Sequence, residues 1–117
     1  MKKILVVDDA VFMRMTLRMM LERNGFNVVG EAEDGEMAIE KYKELKPDIV
    51  TMDITMPDMD GLEALEKIIE YDSKATVVMI SAMGQEPKIQ KAIILGAKNF
   101  ILKPFKEENV VKTLEKL

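Results

Sequence analysis

The chain has 117 residues, 48% of them hydrophobic, a net charge of −4, and neither Cys nor His. That length and apolar content support one self-sufficient domain over residues 1–117, and the missing residue types exclude Cys/His zinc sites, Ser-His-Asp triads, Cys nucleophiles and phosphohistidine roles. An acidic balance with no basic stretch argues against nucleic-acid binding, so the expected partners are proteins and a phosphate donor.

Apolar runs of strand length alternate with segments of helical period five times, the signature of βαβ units around a parallel sheet. The first strand, 3–7, stops on Asp8 and Asp9. Its run from Ile4 to Val7 is too short for a signal-peptide core or a membrane span, which places the chain in the cytoplasm with no membrane attachment. Met13, Leu17, Met20 and Leu21 then repeat at helical spacing. Phe12, Met15 and Met19 form a second apolar row on this helix; the last helix is expected to cover it, the alternative being a patch shown to a partner. After a strand at 27–32, Asp34 reads as an N-cap for a helix carrying Ala38, Tyr42 and Leu45, which Pro47 stops. A strand at 48–53 ends on Asp53 and gives way to the turn-forming run Met56 to Gly61. A helix with Leu62, Leu65 and Ile69 follows, then a strand at 76–80 that stops on Ser81. Ile89 and Ile93 mark the next helix, a strand at 98–102 stops on Lys103, and Val110, Val111, Leu114 and Leu117 mark the last. Gly25, Gly30, Gly35, Gly61 and Gly96 fall at or near the joints. Right-handed crossovers then put five helices on the two faces of a doubly wound, five-stranded parallel sheet: the flavodoxin-like α/β architecture, strand order 2-1-3-4-5. The eleven methionines are read as core gap-fillers.

In such a sheet the ligand crevice lies outside the carboxyl ends of the strands, so Asp8, Asp9, Asp53, Ser81 and Lys103 should meet there. An ionised Asp53 can attack a phosphoryl group directly. Because the donor is anionic too, Asp8 and Asp9 suit a divalent cation, and Mg²⁺ fits a site with few carboxylates. Lys103 can meet a phosphate as a point charge, aimed inward if the Lys103-Pro104 bond is cis, and Ser81 can donate one hydrogen bond. Each residue has an ordinary reading as well. Asp8-Asp9 can form a turn and N-cap, Lys103 can be a solvated lysine, and Ser81 can be a loop serine capping the next helix. Their joint occurrence at one sheet edge favours a site. Three close carboxylates should also raise one carboxyl pKa.

The chain resembles the receiver domains of two-component response regulators over essentially its whole length, and most of all the single-domain chemotaxis regulators. The resemblance is carried by Val6-Val7-Asp8-Asp9, Phe12-Met13-Arg14, Asp48-Ile49-Val50-Thr51-Met52-Asp53, Met56-Pro57 with Asp60-Gly61, Ser81-Ala82, Gly96-Ala97 and Lys103-Pro104-Phe105. It implies that Asp53 is the phosphoacceptor and that Asp9, Asp53 and the Thr55 backbone carbonyl hold Mg²⁺, with Asp8 acting through water. It further implies Ser81 as the switch hydroxyl, Lys103 as the phosphate-binding lysine before a cis proline, and Phe100 as the switch aromatic, often a Tyr in the family. Thr55 and Met83 would flank the route of the water that hydrolyses the acyl phosphate. By the same resemblance the chain is a monomer that catalyses its own phosphorylation and dephosphorylation rather than an enzyme. Its implied partners are a CheA-like histidine kinase, a FliM-like flagellar switch protein and a CheC- or CheX-like phosphatase.

Three other readings compete. A phosphatase of the haloacid-dehalogenase type would resemble its family by carrying a second Asp two residues after the nucleophile, where Thr55 stands. A flavin-binding electron carrier would need a hydroxyl- and glycine-rich loop where Asp8-Asp9-Ala10-Val11 stands. A receiver from a larger transcriptional or sporulation regulator would share every motif.

Overall fold

Apolar residues, mostly Val, Ile, Leu and Met, run through the segments 3–7, 48–53 and 76–80 without the polar alternation of a half-solvated sheet, as strands covered on both faces require. A computed structural model describes residues Met1–Leu117. Strands β1 (Lys3–Val7), β2 (Asn27–Ala32), β3 (Ile49–Asp53), β4 (Val77–Ala82) and β5 (Asn99–Lys103) form one sheet in the order β2-β1-β3-β4-β5. All pairings are parallel. Helices α1 (Val11–Glu22), α2 (Gly35–Leu45), α3 (Gly61–Tyr71), α4 (Glu86–Leu95) and α5 (Glu107–Glu115) alternate with the strands, giving the flavodoxin-like architecture expected. No helix is long and apolar enough to cross a membrane.

Alternate residues of β1, β3 and β4 feed two cores, while β5 adds only Ile101 to one of them. Leu5, Val7, Val50, Met52, Val77 and Met79 pack with Ala38, Leu65, Ile68 and Ala92 of α2, α3 and α4. Ile4, Val6, Ile49, Val78 and Ile80 pack with Leu17 and Leu21 of α1 and with Val110 and Leu114 of α5. Helix ends follow local chemistry. The Asp34 carboxylate accepts the Met37 N–H at 2.8 Å, the cap read from sequence, and Asp60 caps α3 through the Glu63 N–H at 3.0 Å. Gly96, at φ 118°, ends α4 in a left-handed conformation that a side chain would strain.

The structure corrects several sequence expectations. Phe12, Met15 and Met19 are 76, 55 and 60% exposed, so α5 does not cover them. At about 100° per residue, that row is centred roughly 150° around the helix from Met13, Leu17, Met20 and Leu21, out of reach of any helix packed on the buried side. The methionines divide likewise: Met20, Met52, Met56 and Met79 are buried, while Met15, Met19 and Met83 are exposed. Helix α4 buries Ile89 and Ala92, whereas Ile93 and Ile94 face outward. β4 runs two residues beyond the expected end and β5 one, because Ser81 pairs with Leu102 and Ala82 with Lys103 in the ladder. β3 starts one residue late, since Asp48 closes the sheet edge by accepting the Lys3 N–H on its carboxylate at 2.7 Å.

Candidate functional site

β1 and β3 lie side by side at the centre of the sheet, so the residues at their carboxyl ends share one crevice. Asp8 follows β1, is 1% exposed, and closes the strand-to-helix turn by accepting the Ala10 N–H at 2.9 Å. The turn expected of Asp8-Asp9 is therefore present, but the cap is not: Ala10 holds the N-cap position of α1 without a side-chain bond. Arg14 on α1 braces this turn, donating to the Asp8 carbonyl oxygen at 2.6 Å while its Nε donates to Glu31 at 3.1 Å. Asp9 is exposed at the rim.

Asp53 ends β3 and is 7% exposed. The chain behind it is close-packed: the Gly61 N–H donates to the Ile54 carbonyl at 2.7 Å, and a Cβ at Gly61 would run into the Asp53 carbonyl oxygen. Lys103 reaches across from β5, its Nζ 3.4 Å from Asp8 Oδ2 and 3.6 Å from Asp53 Oδ2. The Lys103-Pro104 bond is cis. Lys103 is thus paired with buried carboxylates rather than being a solvated lysine. Carboxylate oxygens of Asp8, Asp9 and Asp53 lie within 4.8 Å of one another, a spacing that one cation could span. Burial first and the Asp8 charge second push the Asp53 carboxyl up to about 6, against the opposing pull of Lys103. One carboxyl is thus raised, with burial contributing more than the crowding of like charges expected from the sequence.

The remaining candidates are arranged differently. Ser81 lies inside β4, fully buried, and caps no helix. Its single proton has two acceptors, the Ala82 carbonyl at 2.9 Å and Gln85 Oε1 at 3.0 Å. Gln85 Oε1 also accepts the Ala82 N–H at 3.0 Å, and its Nε2 donates to Thr55 Oγ1 at 2.7 Å. Gln85 is the residue that sequence reasoning passes over, because a glutamine in a strand-to-helix connection carries no motif. Thr55 and Met83 are exposed. Phe100, 39% exposed, lines an apolar groove of about 630 Å³ with Ile89, Ile93, Ile94 and Leu102, away from the carboxylates. Beneath Asp53 on the same face of β3, Thr51 is fully buried with its hydroxyl unpartnered.

The chain, with a parallel 2-1-3-4-5 sheet and three carboxylates and a lysine at its central carboxyl edge, belongs to the response regulator receiver domain family, which matches residues 4–115. Within that family its likeness is to chemotaxis regulators. It is 53% identical to the chemotaxis protein CheY of Thermotoga maritima, over 99% of this chain and 97% of that protein. It is 54% identical to CheY of Bacillus subtilis, over 97% of this chain and 95% of that protein. Among solved structures, the CheX-CheY-BeF3-Mg complex from Borrelia burgdorferi contains a chain 44% identical at a TM-score of 0.94, with 98% of this chain and 87% of that one covered. The response regulator domain of T. maritima CheB is 40% identical at a TM-score of 0.87, covering 98% of this chain and 92% of that one. The protein is a two-component response regulator of the chemotaxis type.

Proposed function

We propose that Asp53 is the phosphoacceptor of this receiver, taking its phosphoryl group from a CheA-like histidine kinase or a small acyl phosphate. One observation carries the reading: a carboxylate only 7% exposed, at the carboxyl end of the central strand, has an ammonium 3.6 Å away. In the transfer an Asp53 carboxylate oxygen attacks phosphorus, the bond between phosphorus and the donor breaks, and the leaving group keeps the electron pair. Lys103 neutralises charge on the arriving group. Asp8, braced by Arg14, keeps the ammonium in place.

The donor set suits a hard divalent cation. Three carboxylates offer oxygen ligands within 4.8 Å of one another, with the Lys103 ammonium the one cation paired to Asp8 and Asp53. Asp9, Asp53 and the Thr55 backbone carbonyl would hold Mg²⁺, with Asp8 contributing through water; when bound, the ion supplies positive charge to the transferring phosphoryl oxygens.

A phosphoryl group on Asp53 draws the Ser81 hydroxyl toward it, and Phe100 turns inward, which reshapes the face made by α4, β5 and α5. That face is the output surface, read by a FliM-like flagellar switch protein. A CheC- or CheX-like phosphatase resets it, a partner class supported by the Borrelia complex of CheX with CheY. The protein works as a single cytoplasmic receiver unit over residues 1–117, monomeric, catalysing its own phosphorylation and dephosphorylation. Intact mass after incubation with acetyl phosphate and Mg²⁺ tests the assignment. The wild type gains one phosphoryl group and Asp53→Ala gains none; a phosphorylated Asp53→Ala protein would show that another residue accepts it.

A further inference from the structure

We propose that Gln85 is a latch: its side-chain amide holds the Ser81 hydroxyl away from the phosphoryl position in the resting protein and thereby sets how tightly the Asp53 site takes its group. This rests on the reading that Asp53 accepts the group and that Ser81 responds to it.

Three geometric facts converge on this glutamine. Its Oε1 accepts from both Ser81 Oγ and the Ala82 N–H, each at 3.0 Å, and its Nε2 donates to Thr55 Oγ1 at 2.7 Å. One side chain therefore ties the end of β4 to the connection leaving β3. Second, Ser81 is fully buried, so its one proton has only the Gln85 and Ala82 oxygens within reach in the resting arrangement, and water cannot stand in for either. A serine proton given to a phosphate oxygen has left those acceptors, so every productive Ser81 contact at Asp53 requires the latch to open. Third, Gln85 is the N-cap residue of α4, and its backbone carbonyl accepts the Lys88 and Ile89 N–H groups at 2.9 and 3.0 Å. Release of its side chain is therefore felt at the first turn of α4, the helix whose Ile89 and Ile93 line the groove beside Phe100.

The amide is neutral, so its removal leaves the charge balance of the carboxylate cluster untouched. Gln85 acts as a positioning residue; its Nε2 also bonds Thr55 Oγ1, and the Ser81→Ala background separates that route from the one through Ser81. The competition is between ordinary neutral hydrogen bonds, each of modest net worth, so opening the latch shifts affinity by about 3- to 10-fold rather than by orders of magnitude.

Beryllofluoride with Mg²⁺, titrated into the full chain and followed by amide NMR at Ala82, reads this directly. Gln85→Ala and Gln85→Met should each bind beryllofluoride about 3- to 10-fold more tightly than wild type. The gain should vanish when either is combined with Ser81→Ala. Unchanged or weaker binding in both variants overturns the latch, and so does an equal gain in the Ser81→Ala background. Melting curves report whether each variant folds, and Met preserves the side chain's bulk should Ala not be tolerated. A wild type that ignores beryllofluoride, or an Asp53→Ala protein that binds it undiminished, overturns instead the site assignment, and the latch with it.

Discussion

The two halves of the crevice are built on different principles. At the β1–β3 end, Asp8, Asp53 and Lys103 already stand in contact range, drawn together by opposite charge where both carboxylates are buried. At the β4–β5 end, Ser81 is bonded to neutral partners and Phe100 sits out in an apolar groove. Coulombic attraction assembles the first half before any phosphate arrives, whereas neutral hydrogen bonds hold the second in an arrangement that the phosphoryl group must displace. Receiving the group and reporting it are therefore separable by substitution.

The largest expected effect falls on the receiving half. Lys103→Met removes the one ammonium beside Asp53 and should slow phosphorylation by acetyl phosphate by on the order of 10²-fold, as loss of a positioned charge-stabilising donor typically does. A time course of intact mass measures it, and an unchanged rate would place Lys103 outside the transfer. Ser81→Ala, by contrast, should leave a phosphorylated protein that no longer changes the α4–β5–α5 face, which amide shifts of Ile93 and Phe100 would record.

A second effect concerns pH. The metal-free folded state binds a proton on Asp53 more tightly than the unfolded chain, because the carboxyl is raised from 3.8 to about 6. Its favourable contribution is complete below the ordinary value of 3.8 and is lost as pH rises through about 6. Urea midpoints of the metal-free protein between those limits should show a downward component with rising pH that Asp53→Asn lacks. Saturating Mg²⁺ should offset this loss, by about 2.7 kcal/mol at a hundredfold excess over its dissociation constant. A melting temperature indifferent to Mg²⁺ would dissolve the electrostatic half of the contrast.

The smallest effect sharpens the contrast from below. Thr51 hides an unpartnered hydroxyl in the same strand as Asp53. Replacing it with the near-isosteric Val should stabilise the fold by about 1 kcal/mol, read as a higher urea midpoint at unchanged slope, with phosphorylation unaltered. A destabilised Thr51→Val protein would mean that the hydroxyl has a partner after all.

The receiving half is the half that the sequence makes legible. Asp8 and Asp53 each interrupt an apolar run, and strand period plus crossover handedness carry them to one edge without knowledge of any loop. The reporting half is not legible in that way. Whether Ser81 lies in a loop or in a strand depends on its ladder pairing with Leu102, and which acceptor takes its proton depends on the path of residues 82–85, so Gln85 leaves no local signal. The same holds on α1. The spacing of Phe12, Met15 and Met19 marks an apolar row, but its exposure is decided by which face the sheet and α5 occupy.

A crystal structure with beryllofluoride and Mg²⁺ at Asp53 compares the two halves most directly. The expected result is that Asp8, Asp53 and Lys103 keep their mutual positions while Ser81 Oγ leaves Gln85 for a fluoride and Phe100 turns inward. Lys103 repositioned from its present contacts, or Ser81 still bonded to Gln85 with the analogue in place, would contradict a preassembled receiver and a displaced reporter.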